Sequence, residues 1–165
     1  MISFLTNTKY KLILKNIEFK EIIAKLPYEK PFLFVDEILQ VDENGISGTY
    51  TFDENHDFYK GHFKNNPVTP GVILTETMAQ IGLVSFGIYL MSRSEESTDK
   101  IQIALTSSEM DFFKPVFPNE KVIVRSQKEY FRFNKLKCQV EMFNLKDELL
   151  CRGKIAGMIA TENLK

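Results

Sequence analysis

Thr69-Pro70-Gly71-Val72-Ile73-Leu74-Thr75-Glu76-Thr77-Met78-Ala79-Gln80, with its apolar continuation to Met91, decides how the rest of the chain is arranged. From Pro70 to Met91 the only charged residue is Glu76. Thr69 and Pro70 read as the N-cap and first residue of a helix: the threonine hydroxyl can accept from an orphan N–H, and proline has no N–H to leave unpaired. A helix apolar on every side has to be buried on every side. At 1.5 Å per residue it would span roughly 30 Å, about the width of a small domain. The length would also cross a bilayer. Thr75, Glu76, Thr77, Gln80, Ser85 and the glycines inside the segment favour a core helix instead, wrapped by a sheet and completed by a second subunit. A buried carboxyl must be paired, hydrogen-bonded or protonated. Glu76 is therefore either a structural residue bonded to Gln80 one turn on (or to a basic group elsewhere), or a functional acid.

The run Phe58-Tyr59-Lys60-Gly61-His62-Phe63-Lys64-Asn65-Asn66-Pro67-Val68 leads straight into that helix and carries one of two histidines. His62 and Glu76 lie on different elements, so they can converge only through a folded-back loop or across a subunit boundary. Gly61-His62-Phe63, Asn66-Pro67-Val68, Pro70-Gly71-Val72, Glu76 and Met78-Ala79-Gln80 together resemble the signature of the 3-hydroxyacyl-[acyl-carrier-protein] dehydratases. Glu76, where the isomerising relatives usually have Asp, favours the non-isomerising branch. Leu26-Pro27-Tyr28-Glu29-Lys30-Pro31-Phe32-Leu33-Phe34-Val35-Asp36 is similar to that family's opening motif, with Tyr28-Glu29 in place of the usual His-Arg.

Length and composition bound the alternatives. A chain of 165 residues with 44% hydrophobic content supports one domain with its own core. A net charge of −1 gives no reason to expect nucleic acid as a partner. Cys138 and Cys151 are too few and too far apart for a disulfide framework or a zinc site. Together with the lack of a sustained apolar run near Met1, this leads us to expect a cytoplasmic setting without a signal peptide.

Along the chain, residues 1–16 read as an N-terminal arm, with a possible short strand at Tyr10–Leu14. Ile17–Leu26 has the spacing of a short amphipathic helix stopped by Pro27. Phe32–Val41 and Ile46–Phe52 read as a hairpin around Asp42-Glu43-Asn44-Gly45. His56 falls in a polar turn and is expected to be an exposed loop residue. After the helix, Ser92–Lys100 reads as a charged loop and Ile101–Leu105 as a strand. Lys121–Phe133, Leu136–Phe143 and Leu149–Ala160 read as three long strands, with turns at Asn134-Lys135 and Lys146-Asp147. Asn119 can supply a left-handed residue in the turn before Lys121. Strands grouped on either side of one long helix imply an α+β fold with an antiparallel sheet. The resemblance, which covers about 26–160, implies a hotdog fold: that sheet wrapped around the long central α-helix.

The resemblance also implies the chemistry. His62 and Glu76 would be the catalytic dyad, His62 as base and Glu76 as acid, each site being built across a homodimer or a larger even-numbered assembly. Substrate contacts would fall at Phe63, Gly71, Val72 and Gln80, with the Gly71 N–H on the thioester carbonyl. Neither cofactor nor metal is expected. The substrate would arrive on an acyl carrier protein, and the stretch 120–137, with six basic and two acidic residues, offers Arg125, Lys128 and Arg132 as a docking surface. Two other readings remain open: a hotdog thioesterase, and a non-catalytic acyl-thioester binding module.

Overall fold

The computed structural model describes residues 18–93 and 102–160. A short helix at residues 18–24 comes first, burying Ile22 and, just beyond it, Leu26. The expected strand at Tyr10–Leu14, most of the loop after Ser92, and Ile101 lie outside the described residues.

Six strands follow: β1 (Glu37–Val41), β2 (Gly45–Thr51), β3 (Gln102–Phe112), β4 (Lys121–Arg132), β5 (Lys135–Asn144) and β6 (Leu149–Ala160). They form one antiparallel sheet in the order β1-β2-β4-β5-β6-β3, with the helix Gly71–Ser92 between β2 and β3 in sequence. This is the hotdog fold. Alternation explains the inner face: Val122 and Val124 on β4, and Leu136, Cys138, Val140 and Met142 on β5, are almost completely buried. The tight β1–β2 turn is held by Asp42, whose Oδ1 accepts from the N–H groups of Asn44 and Gly45. Asn119 takes the left-handed conformation, with φ 66°.

Four expectations need correction. The helix begins one residue late: Pro70 is the N-cap and Gly71 the first helical residue. The Thr69 hydroxyl caps no N–H, because it is engaged 2.6 Å from the Tyr59 hydroxyl. The first strand is short, since Phe32 and Phe34 give their backbone groups to the Gln80 carboxamide rather than to a neighbouring strand. By contrast β3 runs on to Phe112, paired along β6 through Thr106-Ser107-Ser108-Glu109, whose exposed polar side chains hide the strand from a periodicity reading. At the β4–β5 hairpin the two left-handed residues are Phe133 and Asn134, one position earlier than expected.

The central helix is not uniform. Gly71–Ala79 is α-helical, Gln80–Ser85 widens to a π turn, and Phe86–Ser92 returns to α geometry. Every residue from Thr77 to Tyr89 is buried within the single chain. A second subunit is thus not needed to cover the C-terminal part. What remains uncovered is the first turn, where Val72 is 76% exposed. The helix is long and apolar enough to cross a membrane, but it is mostly buried inside the fold, which makes it a core helix.

Candidate active site

The segment from Asp57 to Pro70 places His62. A short 3₁₀ turn (Asp57–Lys60) buries Tyr59, and the His62 N–H closes onto Phe58 O at 2.9 Å. Val68 N–H then returns to His62 O at 2.9 Å, and Thr69 N–H donates to Val116 O at 2.8 Å. These bonds tie the loop to itself and to the segment after β3. His62 Nδ1 lies 2.8 Å from Val68 O. A carbonyl can only accept, so Nδ1 carries a proton, and in the neutral ring the lone pair is on Nε2. The Phe63 ring stacks on the imidazole with centroids 3.8 Å apart.

Glu76 sits on the second turn of the central helix, partly buried. Burial pushes its carboxyl above the usual carboxylate range, and a hydrogen bond from Gln80 pulls partly the other way. Gln80 is itself fully buried, and its carboxamide makes three bonds. Oε1 accepts from Phe34 N–H at 2.8 Å; Nε2 donates to Phe32 O at 2.9 Å and to Glu76 Oε1 at 2.9 Å. The opening motif is therefore clamped to the helix by the residue that also holds the carboxyl. Tyr28 lies close enough to feel that carboxylate: burial first, and then the Glu76 charge, push its phenol up to about 12. Among the described residues no hydrogen bond or ion pair joins His62 to Glu76.

Gly71 opens the helix against the ring of Phe112, which a Cβ there would meet at 3.2 Å. The helix start is bare: neither Thr69 nor Pro70 caps it with a side chain. Val72 points into solvent, and Phe63, Phe112, Phe113 and Phe117 are exposed as well. An N-terminus with free N–H groups beside exposed apolar side chains suits the oxygen and chain of an acyl group.

The family model described as the FabA-like domain matches residues 26–156, from the opening motif to the last strand. The chain belongs to the FabA-like family. One curated relative of this FabA-like chain is the 3-hydroxyacyl-[acyl-carrier-protein] dehydratase FabZ of Paramagnetospirillum magneticum, 32% identical over 90% of both chains. The enzyme of the same name from Caldicellulosiruptor saccharolyticus is 32% identical over 81% of this chain and 92% of its own. Among solved structures, the dehydratase heterocomplex ApeI:P of Xenorhabdus doucetiae superposes with a TM-score of 0.67 at 12% identity, covering 87% of this chain and 91% of the other. A coenzyme A-bound hypothetical thioesterase of Streptococcus pneumoniae superposes with a TM-score of 0.56 at 9% identity, over 77% and 87%. At such identities these two likenesses speak for the fold alone.

The remaining site residues expected from sequence are dispersed. Arg125 lies exposed on the outer face of β4, paired with Asp147 at 2.9 Å and stacked over Phe143. Lys128 pairs in register with the buried Cys138, and Arg132 lies over the Tyr130 ring beyond a register shift. The three form a line along one strand rather than a cluster. The end of that line lies beside the middle of the helix: Phe131 is in register with Leu136, and Leu136 with Gly157, where a Cβ would meet Leu83 in the π turn.

The expectation for His56, an exposed loop residue, is corrected. His56 is half-buried rather than exposed, stacked on Phe58 with its Nε2 2.7 Å from the Tyr50 hydroxyl. With Phe32, Phe34 and Ile73 it lines a cavity of about 650 Å³ beside the opening motif. Among the described residues no group of three or more His, Cys, Asp and Glu side chains is arranged to hold a metal ion.

Proposed function

We propose that this chain dehydrates (3R)-3-hydroxyacyl thioesters carried on an acyl carrier protein, giving trans-2-enoyl thioesters in fatty acid or related acyl-chain synthesis. The single observation that carries this reading is geometric: His62 Nδ1 is tied to Val68 O at 2.8 Å, which in the neutral ring leaves the Nε2 lone pair for a base, and the partly buried Glu76 carboxyl, held by Gln80 at 2.9 Å, is pushed by burial toward its neutral form. The chain's relatives named as 3-hydroxyacyl-[acyl-carrier-protein] dehydratases support the same reading.

In the proposed reaction the helix N-terminus, through the Gly71 N–H, draws charge onto the thioester oxygen and so acidifies the α-carbon. Nε2 of His62 takes the α-proton. The electron pair left behind forms the Cα–Cβ double bond as the Cβ–O bond breaks, and the Glu76 carboxyl hands its proton to the departing hydroxyl as water. Imidazolium and carboxylate are left, and proton exchange with solvent restores the starting states. Val72 and Phe63 would border the acyl thioester.

Two features favour assembling the site from two subunits. Among the described residues no hydrogen bond or ion pair joins the two proposed dyad residues within one chain. The apolar side chains around the helix start are exposed, and β3 ends the sheet with one edge unpaired. Arg125, Lys128 and Arg132 are the proposed carrier contacts, in a cytoplasmic setting.

One incubation separates this reading from its rivals. With a 3-hydroxyacyl-carrier thioester, a dehydratase forms the enoyl thioester, a thioesterase releases free carrier thiol, and a binding module returns the substrate unchanged. Enoyl product is expected; free thiol without enoyl thioester would overturn the proposal.

A further inference from the structure

The π turn at Gln80–Ser85 begins at the residue that holds Glu76. Widening a helix by one residue changes the rotational phase of everything after it. At 3.6 residues per turn, relaxing the bulge to α geometry would swing one half against the other by about 100°. Neither half is free to swing. Before the bulge, Leu74 and Met78 are packed in the core, and Met78 Sδ lies 3.3 Å from Cys151 Sγ of β6. After it, Phe86 and Ile88 are buried, and Gly87 passes so close to Ile103 that a Cβ would sit 2.3 Å from that side chain.

A widened turn needs its irregular carbonyls satisfied, because a buried, unpaired carbonyl is costly. Two serines do this. Ser85 Oγ donates to Gln80 O at 2.8 Å, within the turn itself. Ser126 Oγ reaches from β4 to Gly82 O at 2.7 Å, in the middle of the turn. Both serines are buried. Gly82 makes the second bond possible: a Cβ there would stand 3.0 Å from Ser126 Cβ and 3.0 Å from Val140 Cγ1.

We infer that Ser126 and Ser85 are positioning residues for the active site: Ser126, by fixing the π turn to the sheet, and Ser85, by closing the turn onto Gln80, set the phase of the helix at Gln80, and through the Gln80 carboxamide they hold the Glu76 carboxyl in place. From β4 to the acid the connection runs through the Ser126–Gly82 bond, the backbone of the turn that Ser85 closes onto Gln80, and the Gln80–Glu76 bond. Its catalytic meaning rests on Glu76 being the acid proposed above, but the geometric claim does not.

The test therefore reads Glu76 directly as well as through turnover. Protein labelled with ¹³C at the glutamate carboxyls is titrated by NMR, with Glu76→Gln identifying the Glu76 signal and Gln80→Met showing what loss of the clamp does. Gln80→Met should raise the Glu76 midpoint, because it removes a donor that favours the charged form. Ser126→Ala and Ser85→Ala should each move the midpoint the same way. In the same variants kcat on a pantetheine thioester should fall between about tenfold and 10²-fold, the scale expected for small misplacements of a reacting group, with KM little changed. If alanine at position 126 fails to fold, Ser126→Cys keeps the volume with a much weaker donor. A Glu76 midpoint that stays at its wild-type value in the serine variants would overturn the inference, whatever happens to thermal stability. A wild-type protein without dehydratase activity would overturn the function and leave the titration to decide the positioning.

Discussion

Gln80 donates to Glu76 Oε1 at 2.9 Å from a side chain that is completely buried and bonded on its other sides to Phe32 and Phe34. The carboxyl of the candidate acid is thus held by the same group that substitutes for strand pairing in the opening motif. A Gln80→Leu substitution should leave Phe34 N–H and Phe32 O without partners. The orphaned Phe34 N–H is buried and costs about 1–3 kcal/mol, while water can reach the part-buried Phe32 O, so chemical denaturation should show a loss of about 1–3 kcal/mol along with the loss of activity.

The Glu76 carboxyl has a raised pKa in the folded state, mainly through burial. Its contribution to stability is therefore full below the unfolded carboxyl pKa and declines as pH rises through the folded value. Glu76→Gln removes that decline. The melting temperature of the variant should exceed wild type in neutral and mildly alkaline buffer and converge with it in acid. A pH-independent difference would mean that Glu76 carries no such penalty.

Much of this was legible in the sequence, and the failures have physical causes. Alternation marked β4, β5 and β6 nearly to the residue, because each buries one face against the helix. It failed on β3, where Thr106 to Glu109 lie exposed on an edge strand, and on Phe32–Phe34, where the Phe34 N–H is taken by a side chain 46 positions away. Proline and threonine placed the helix start within one residue, but the Tyr59 hydroxyl claimed the expected cap. His62 and Glu76 stood out as a lone histidine before a cap and a lone charge in an apolar run. No periodicity announces the π turn or the Ser126–Gly82 bond, since both depend on how the sheet meets the helix.

Both cysteines are buried and free, with burial holding Cys138 up to about 11 and Cys151 to about 12. Thiolate is the reactive form. A colorimetric thiol reagent at pH 8 should therefore label neither residue rapidly in the native protein and both after denaturation. Rapid native labelling would contradict the packing of β5 and β6 on the central helix.

Charge reversal at Lys128 and Arg132 tests the proposed carrier contacts. KM for a carrier-bound substrate should rise while turnover of a short pantetheine thioester barely changes, and high salt should reproduce the selective loss. Exposed charges are screened beyond about 8 Å at physiological ionic strength. Equal losses on both substrates would place the damage in the fold rather than at the docking surface.

The most direct measurement is complementation between two inactive variants. His62→Ala and Glu76→Gln should each lower turnover by about 10²–10⁴-fold, the usual contribution of a positioned base or acid. A mixed dimer with one substitution on each chain holds one site with both defects and one with neither. Co-refolding the two variants, with heterodimer formation verified by mass spectrometry, should restore a substantial fraction of enoyl-thioester production. Verified heterodimers that remain as inactive as either parent would contradict a His62–Glu76 site shared between subunits.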